Sequence, residues 1–234
     1  MSENSITAVF TSCARPDLLF ATLNSFFRHM DVSIDRIIIV EDGPAPLAFL
    51  QSYPFPVPAL LLATGEHVGQ IAAIDYAYSL VDSEYIFHGE DDWEFYRPGF
   101  LGPSMRLLEQ EPSCLQVWLR ALDDTNQHPL EDQLMVSMDG DRQIPWFRLK
   151  FNYLDVWNGF SFNPGLRRMR DYVECNGYGI HQKNRSDIPP GRGSGEAAMS
   201  VHFREQRRFA AILADHEGRG YVRHIGWNRT VPGS

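Results

Sequence analysis

Three consecutive acids, Glu90, Asp91 and Asp92, stand in the stretch YIFHGEDDWEFYRPGF, between a short apolar run and a pair of aromatics. Carboxylates packed this closely repel one another and raise each other's pKa unless a cation or fixed donors share the site. A solvated turn relieves the repulsion through water. A metal site relieves it through the ion, and oxygen donors suit hard Mg2+ or Mn2+. Two more acids, Glu41 and Asp42, close the run RIIIVEDG, and a carboxylate there accepts hydrogen bonds from a ring N–H or from sugar hydroxyls. Thr11 and Arg15, in FTSCARPD, serve equally for nucleoside and phosphate contacts or as turn and capping residues. Glu196 follows the glycine-rich GRGSG and opens a helical stretch, where an acid complements the helix dipole. His224, in YVRHIGW, is one of eight histidines; its imidazole is a structural group or a ligand suited to Mn2+.

These residues need elements to deliver them. ITAVFT (6–11) reads as a buried strand, and SCARPD opens a helix with Pro16 in its first turn and Leu19, Leu23, Phe26 and Met30 at helical spacing. RIIIVEDG and ALLLAT give a second and a third strand; 69–81 gives a helix, and 85–88 a fourth strand that runs into the acidic cluster. Strand–helix alternation predicts a mostly parallel α/β sheet with right-handed crossovers. Ligands of such sheets bind beyond the carboxyl ends of the strands, so Thr11, Glu41–Asp42 and Glu90–Asp92 are expected along one edge. The second half is less regular. A helix is expected near 100–108, a strand at CLQVWLR and a helix over 166–176. Residues 121–156 read as an irregular polar excursion and 181–195 as a mobile loop; a helix from Glu196 and two short strands, FAAILAD and YVRHIGW, complete the chain. Trp157, Phe160 and Phe162 suit either an acceptor-stacking platform or the core.

The composition bounds the function. A chain of 234 residues with 44% apolar and 22% charged residues has enough material for a globular core. No repeat or linker divides it, so one domain over 1–234 is expected. A net charge of −9 disfavours nucleic acid or an anionic membrane as main partner. No apolar run reaches the roughly 20 residues of a membrane span, and the start shows no secretory signal. Three widely spaced cysteines without a CxxC pair fit a reduced, cytoplasmic compartment. No GxGxxG turn, P-loop or GxSxG elbow is present.

The spacings ITAVFTSCARPDLLFATLNSF, RIIIVEDGPAP, GEHVGQIAAIDYAYSLVDSEYIFHGEDDW, GSGEAAMS and YVRHIGW together resemble the nucleotide-diphospho-sugar transferases of the GT-A fold, especially the large second family of inverting glycosyltransferases. The resemblance is clearest over 6–100, fades over 101–190 and returns in the last two motifs. It implies a Rossmann-like central sheet, a nucleotide-sugar-binding half (1–100) and an acceptor-binding, catalytic half (101–234). It also implies a nucleotide-diphospho-sugar donor of uridine type, a hydroxyl acceptor (a glycan or small molecule), and Mn2+ or Mg2+. The family's Asp-any-Asp metal motif is matched by Glu90-Asp91-Asp92, with Asp92 as direct ligand and Asp91 or Glu90 meeting ribose or ordered water. Glu41 is matched to the acid that receives the nucleoside, His224 to a C-terminal metal ligand, and Glu196 to the catalytic base, here in GSGEAAM without the usual following acid. Two alternatives stand beside this. A sugar nucleotidyltransferase would need a glycine-rich basic phosphate loop, for which SCARPD supplies only Arg15. A non-catalytic nucleotide-sugar or carbohydrate-binding protein needs no base at all.

Overall fold

Strand β1 (Ile6–Ser12) is buried along its whole length, as expected of a β-branched and aromatic run covered on both faces. In the computed structural model, which describes residues 4–44, 47–150, 159–184, 194–213, 215 and 217–227, helix α1 (Pro16–His29) follows. Its Pro16 and Asp17 lie in the first turn and Arg28 and His29 in the last, the charge order that the helix dipole favours. Strands β2 (Arg36–Glu41) and β3 (Ala59–Ala63), helix α2 (Gln70–Tyr78) and strand β4 (Tyr85–Glu90) complete a parallel unit in the order β3-β2-β1-β4. Ser12 pairs in register with Glu41, and Thr11 with Glu90, so the polar strand ends line one edge.

Beyond β4 come β5 (Trp93–Phe95), α3 (Leu101–Gln110), β6 (Cys114–Trp118), β7 (Leu130–Asp139), β8 (Arg142–Leu149), β9 (Gly165–Arg168), α4 (Met169–Glu174), α5 (Gly179–Asn184), α6 (Ser194–Glu205), β10 (Phe209–Leu213) and β11 (Val222–His224). The large sheet has the order β3-β2-β1-β4-β9-β6-β10-β8-β7, in which β9 and β8 run against the rest. The architecture is thus α/β with a mostly parallel central sheet flanked by helices. One face packs Phe10, Phe26, Phe87, Phe95 and Phe100 together; the other packs Val9, Ile38 and Val40 against Ile71, Ile74 and Tyr78 of α2. A separate two-stranded ribbon pairs β5 with β11, setting His224 opposite Trp93. No helix among the described residues is long and apolar enough to cross a membrane.

Two sequence expectations are corrected. The excursion over 121–156 contains the longest hairpin among the described residues, β7–β8, turned at Gly140 with φ +59°. Its first strand points Leu134, Val136 and Met138 outward and buries Ser137, so its alternation does not mark an inner face. The helix expected over 166–176 begins only at Met169, because 165–168 enter the sheet as β9. Arg167 and Arg168 are both buried there, Arg168 with its donors engaged and Arg167 with its Nε unpartnered. Arg168 donates to the carbonyls of Leu108, Pro112 and Cys114 and to Asp171, and Arg167 to the Ser161 carbonyl.

Candidate active site

The strand ends and the start of α2 enclose a cleft of about 260 Å³, lined by Thr11, Ser12, Cys13, Arg15, Asp42, Gln70, Ala73, Glu90 and Asp91. Its floor is a charge network. The Arg15 guanidinium donates to both oxygens of Asp91, at 3.1 Å from Nε to Oδ2, and from Nη1 to Asp92 Oδ2 at 2.7 Å. The crowded acids are therefore held together in this structure by an arginine. Asp91 is wholly buried and also accepts the Cys13 N–H. Burial lifts its pKa to about 6 against the pull of Arg15. Burial and the repulsion of Asp92 and Glu196 lift Glu90 to about 8, although the Trp93 indole N–H donates to it at 3.2 Å. Gln70 donates to its other oxygen at 2.7 Å.

Glu41 lies beneath the turn after β1. Its Oε1 accepts the N–H of Ala14 at 2.5 Å, and Ala14 has φ +54°, a left-handed conformation that this bond helps to hold. The neighbouring Asp42 faces the cleft, while its carboxylate oxygens accept the N–H groups of Val68 and Gly69 at the entry to α2.

Asp92 and His224 meet. The Asp92 Oδ2 lies 3.1 Å from His224 Nε2 across the β5–β11 ribbon, although 132 residues separate them in the chain. Despite burial, this hydrogen bond and Arg15 hold the Asp92 carboxyl below its usual range. The imidazole is wedged against Trp93 and the exposed Trp227, with ring centroids at 5.1 and 4.5 Å, and its buried Nδ1 has no hydrogen-bond partner. Two donors on adjacent positions of a six-coordinate ion, each bonded at about 2.1 Å, stand about 3 Å apart. A carboxylate and an imidazole at 3.1 Å fit a Mn2+ or Mg2+ ion by separation and by donor type.

Gly226 makes that approach possible. A Cβ there would lie 2.6 Å from Asp92 Oδ2 and 2.8 Å from its Cβ. Gly226→Ala is accordingly expected to destabilise the protein by about 1–3 kcal/mol through overpacking and to drive Asp92 from His224. The melting temperature and Mn2+ binding, measured on one preparation, check both effects.

Glu196 lies in the first turn of α6, partly open to solvent. Its Oε1 accepts the Phe162 N–H at 2.7 Å and the Ser161 hydroxyl at 3.0 Å. Burial raises its pKa, opposed by these two donors and by Arg167 and Arg120. Its charge is one of those that raise the Glu90 pKa.

The structure thus gathers Thr11, Arg15, Glu90 and Asp91 around one cleft, with Asp92 and His224 adjoining through Arg15, while Glu196 is held by Ser161 and Phe162. Glu41 supports the same turn from below. Phe160 and Phe162 belong to the core, 1% exposed and packed on Tyr178. Arg223 is paired with Glu94 at the surface. Trp157 and most of the 181–195 loop lie outside the described residues. Sequence reasoning passed over Gln70, Trp93 and Ser161, which hold the acids in place. Trp93 had a signal, since it directly follows the acidic run.

No protein-family model and no curated protein matches the sequence. Solved structures do match. TarS of S. aureus (residues 1–349) superposes with a TM-score of 0.59 at 9% identity, over 93% of this chain and 59% of that one. Its complex with UDP gives 0.60 at 8% identity, with the same coverage. The mannosyltransferase PcManGT from Pyrobaculum calidifontis, in complex with GDP-Man and Mn2+, gives 0.60 at 12% identity, over 92% of this chain and 58% of that one. The fold is GT-A.

Identities this low establish architecture and leave chemistry to the site. The chain spans a little under three fifths of the length of these GT-A structures. The GT-A sheet accounts for the edge on which the cleft lies, because the carboxyl ends of parallel strands are where such sheets take ligands.

Proposed function

We propose that this protein is a metal-dependent glycosyltransferase that moves a sugar from a nucleotide-diphospho-sugar to an acceptor hydroxyl with inversion. The observation that carries the reading is the convergence of Asp92 and His224, from distant parts of the chain, beside a cleft at the carboxyl edge of a GT-A sheet. A neighbour of the same fold holds GDP-Man and Mn2+, and another holds UDP, which supports a donor of this class.

In this reading the 1–100 half binds the donor. Thr11, Glu90 and Asp91 meet the nucleoside, Glu41 holds the turn that receives it, and Arg15 contributes charge toward the diphosphate. Asp92 and His224 hold Mn2+ or Mg2+, which when bound supplies Lewis-acid stabilisation of the departing diphosphate. Residues 101–234 supply the acceptor side and Glu196. The acceptor oxygen bonds to the anomeric carbon as the carbon–phosphate-oxygen bond breaks on the opposite face, and Glu196 takes the hydroxyl proton. Burial raises the proton affinity of Glu196 and so makes it a stronger base once ionised. The widely spaced, unpaired cysteines fit a cytoplasmic setting.

A thermal-shift panel of nucleoside diphosphates, with and without Mn2+, tests the reading before the acceptor is known. A ligand of the folded state raises apparent stability by RT ln(1 + [L]/Kd). At least one nucleoside diphosphate should raise the melting temperature in Mn2+ and much less without it. A panel in which every nucleotide behaves as buffer removes the reading.

A further inference from the structure

In the turns after β1 and β2 and before α2, three side chains of a different character come together. Cys13 Sγ lies 3.7 Å from His67 Nδ1, and one ligand atom from each of Cys13, Asp42 and His67 lies within 4.8 Å of the other two. We propose that these residues form a second cation site, selective for a thiophilic divalent ion of the Zn2+ class.

The geometry suits such an ion. Zinc bonds thiolate sulfur at about 2.3 Å and imidazole nitrogen at 2.0–2.1 Å, so a tetrahedral ion sets its sulfur and nitrogen donors about 3.5 Å apart. The 3.7 Å between Cys13 and His67 is close to that value. The carboxylate is aimed by the backbone, since Val68 and Gly69 N–H groups take one lone pair of each Asp42 oxygen and leave others for a ligand bond. The turn carrying His67 is fixed as well. Thr64 Oγ1 accepts the Gly43 N–H at 2.9 Å and donates to the Glu66 carbonyl at 2.6 Å, and the Gly65 N–H donates to the Gly43 carbonyl. At Gly43 a Cβ would stand 3.2 Å from the His67 ring, so the glycine lets the imidazole close over the site. Cys13 supplies what the Asp92–His224 pair lacks, a soft sulfur that separates Zn2+ and Co2+ from Mg2+. Three protein donors leave a four-coordinate ion one position for water or for a ligand in the cleft, which Cys13 and Asp42 both line. It uses none of the Asp92–His224 donors, although it borders the same cleft, where the Cys13 N–H also donates to Asp91.

Cobalt(II) makes the test direct, because cobalt bound to thiolate shows a near-ultraviolet charge-transfer band that carboxylate and imidazole alone do not give. The full chain, titrated with CoCl2 in thiol-free buffer, should develop this band and lose it when ZnCl2 is added. Cys13→Ser should abolish the band. His67→Ala, at an exposed position that leaves the fold undisturbed, should weaken cobalt binding by more than the roughly 10–100-fold typical of losing an outer partner. Asp92→Asn should leave the band in place, which separates this site from the other. A protein that gives no band, one whose band persists in Cys13→Ser, or one whose cobalt affinity is unchanged in folded His67→Ala, overturns the proposal. Should Cys13→Ser fail to fold by melting, the His67→Ala titration decides alone.

Discussion

Glu196→Gln is expected to lower the proposed sugar transfer by about 10²–10⁴-fold, the usual contribution of a positioned general base, while donor and metal binding should stay near wild type. The structure sharpens this expectation. The glutamine carbonyl can still accept from Phe162 N–H and the Ser161 hydroxyl, so the side chain keeps its place and loses only the ability to take a proton. Burial already raises the pKa of Glu196, and a raised carboxyl pKa means that ionisation costs the folded state stability. Removing the charge should therefore not lower the melting temperature near neutral pH. The sign for activity runs the other way. A base works ionised, so the wild-type rate falls as pH drops through a midpoint above the ordinary glutamate range, and this limb disappears in the residual rate of the variant. Full activity in folded Glu196→Gln removes the residue from catalysis.

Asp92→Asn is expected to abolish the Mn2+-dependent part of the proposed nucleoside diphosphate binding. At ligand concentrations of 100 Kd that binding is worth about 2.7 kcal/mol of apparent stability, so its loss is readily seen as a smaller melting shift. The substitution keeps the shape of a group that contacts both Arg15 and His224. It removes one of the charges that Arg15 balances, so the ligand-free protein is itself somewhat altered. The comparison that matters is the shift on adding Mn2+ and nucleotide, variant against wild type. An unchanged shift would mean that the cation is held elsewhere.

Much of the parallel half of the sheet was legible because its signals are local. Ile6–Ser12, Arg36–Glu41 and Tyr85–Glu90 are β-branched or aromatic runs that end on polar groups, and parallel pairing sends those ends to one edge. Pro16 marked the start of α1 without any tertiary information. The partnership of Asp92 with Arg15 was not legible, because a guanidinium after the first strand reads as readily as a phosphate contact. Nor was β9, where two adjacent arginines in a buried strand contradict every compositional rule and are tolerated only because carbonyls from α3, from the α3–β6 connection and from β6 receive Arg168. The β7–β8 hairpin carried an Asp139-Gly140 turn signal, but its apolar residues face outward, so alternation pointed away from the sheet. The cluster of Cys13, Asp42 and His67 joins three different connections, and no spacing announces it.

The ribbon of β5 and β11 has a thermal consequence. Each strand is three residues long, and a lone two-stranded pair has little stability of its own in water. Its closure spans more than 120 residues of chain, whereas β1, β2 and β4 are locked inside the nine-stranded sheet. Regions of a native protein open separately, each with its own free energy, and short edge elements open first. His224 will therefore part from Asp92 in excursions that leave the large sheet intact. On warming, ion affinity should decline before the global melt, and amide protons at 222–225 should exchange ahead of those in β1. Heat would then silence the protein while most of it is still folded.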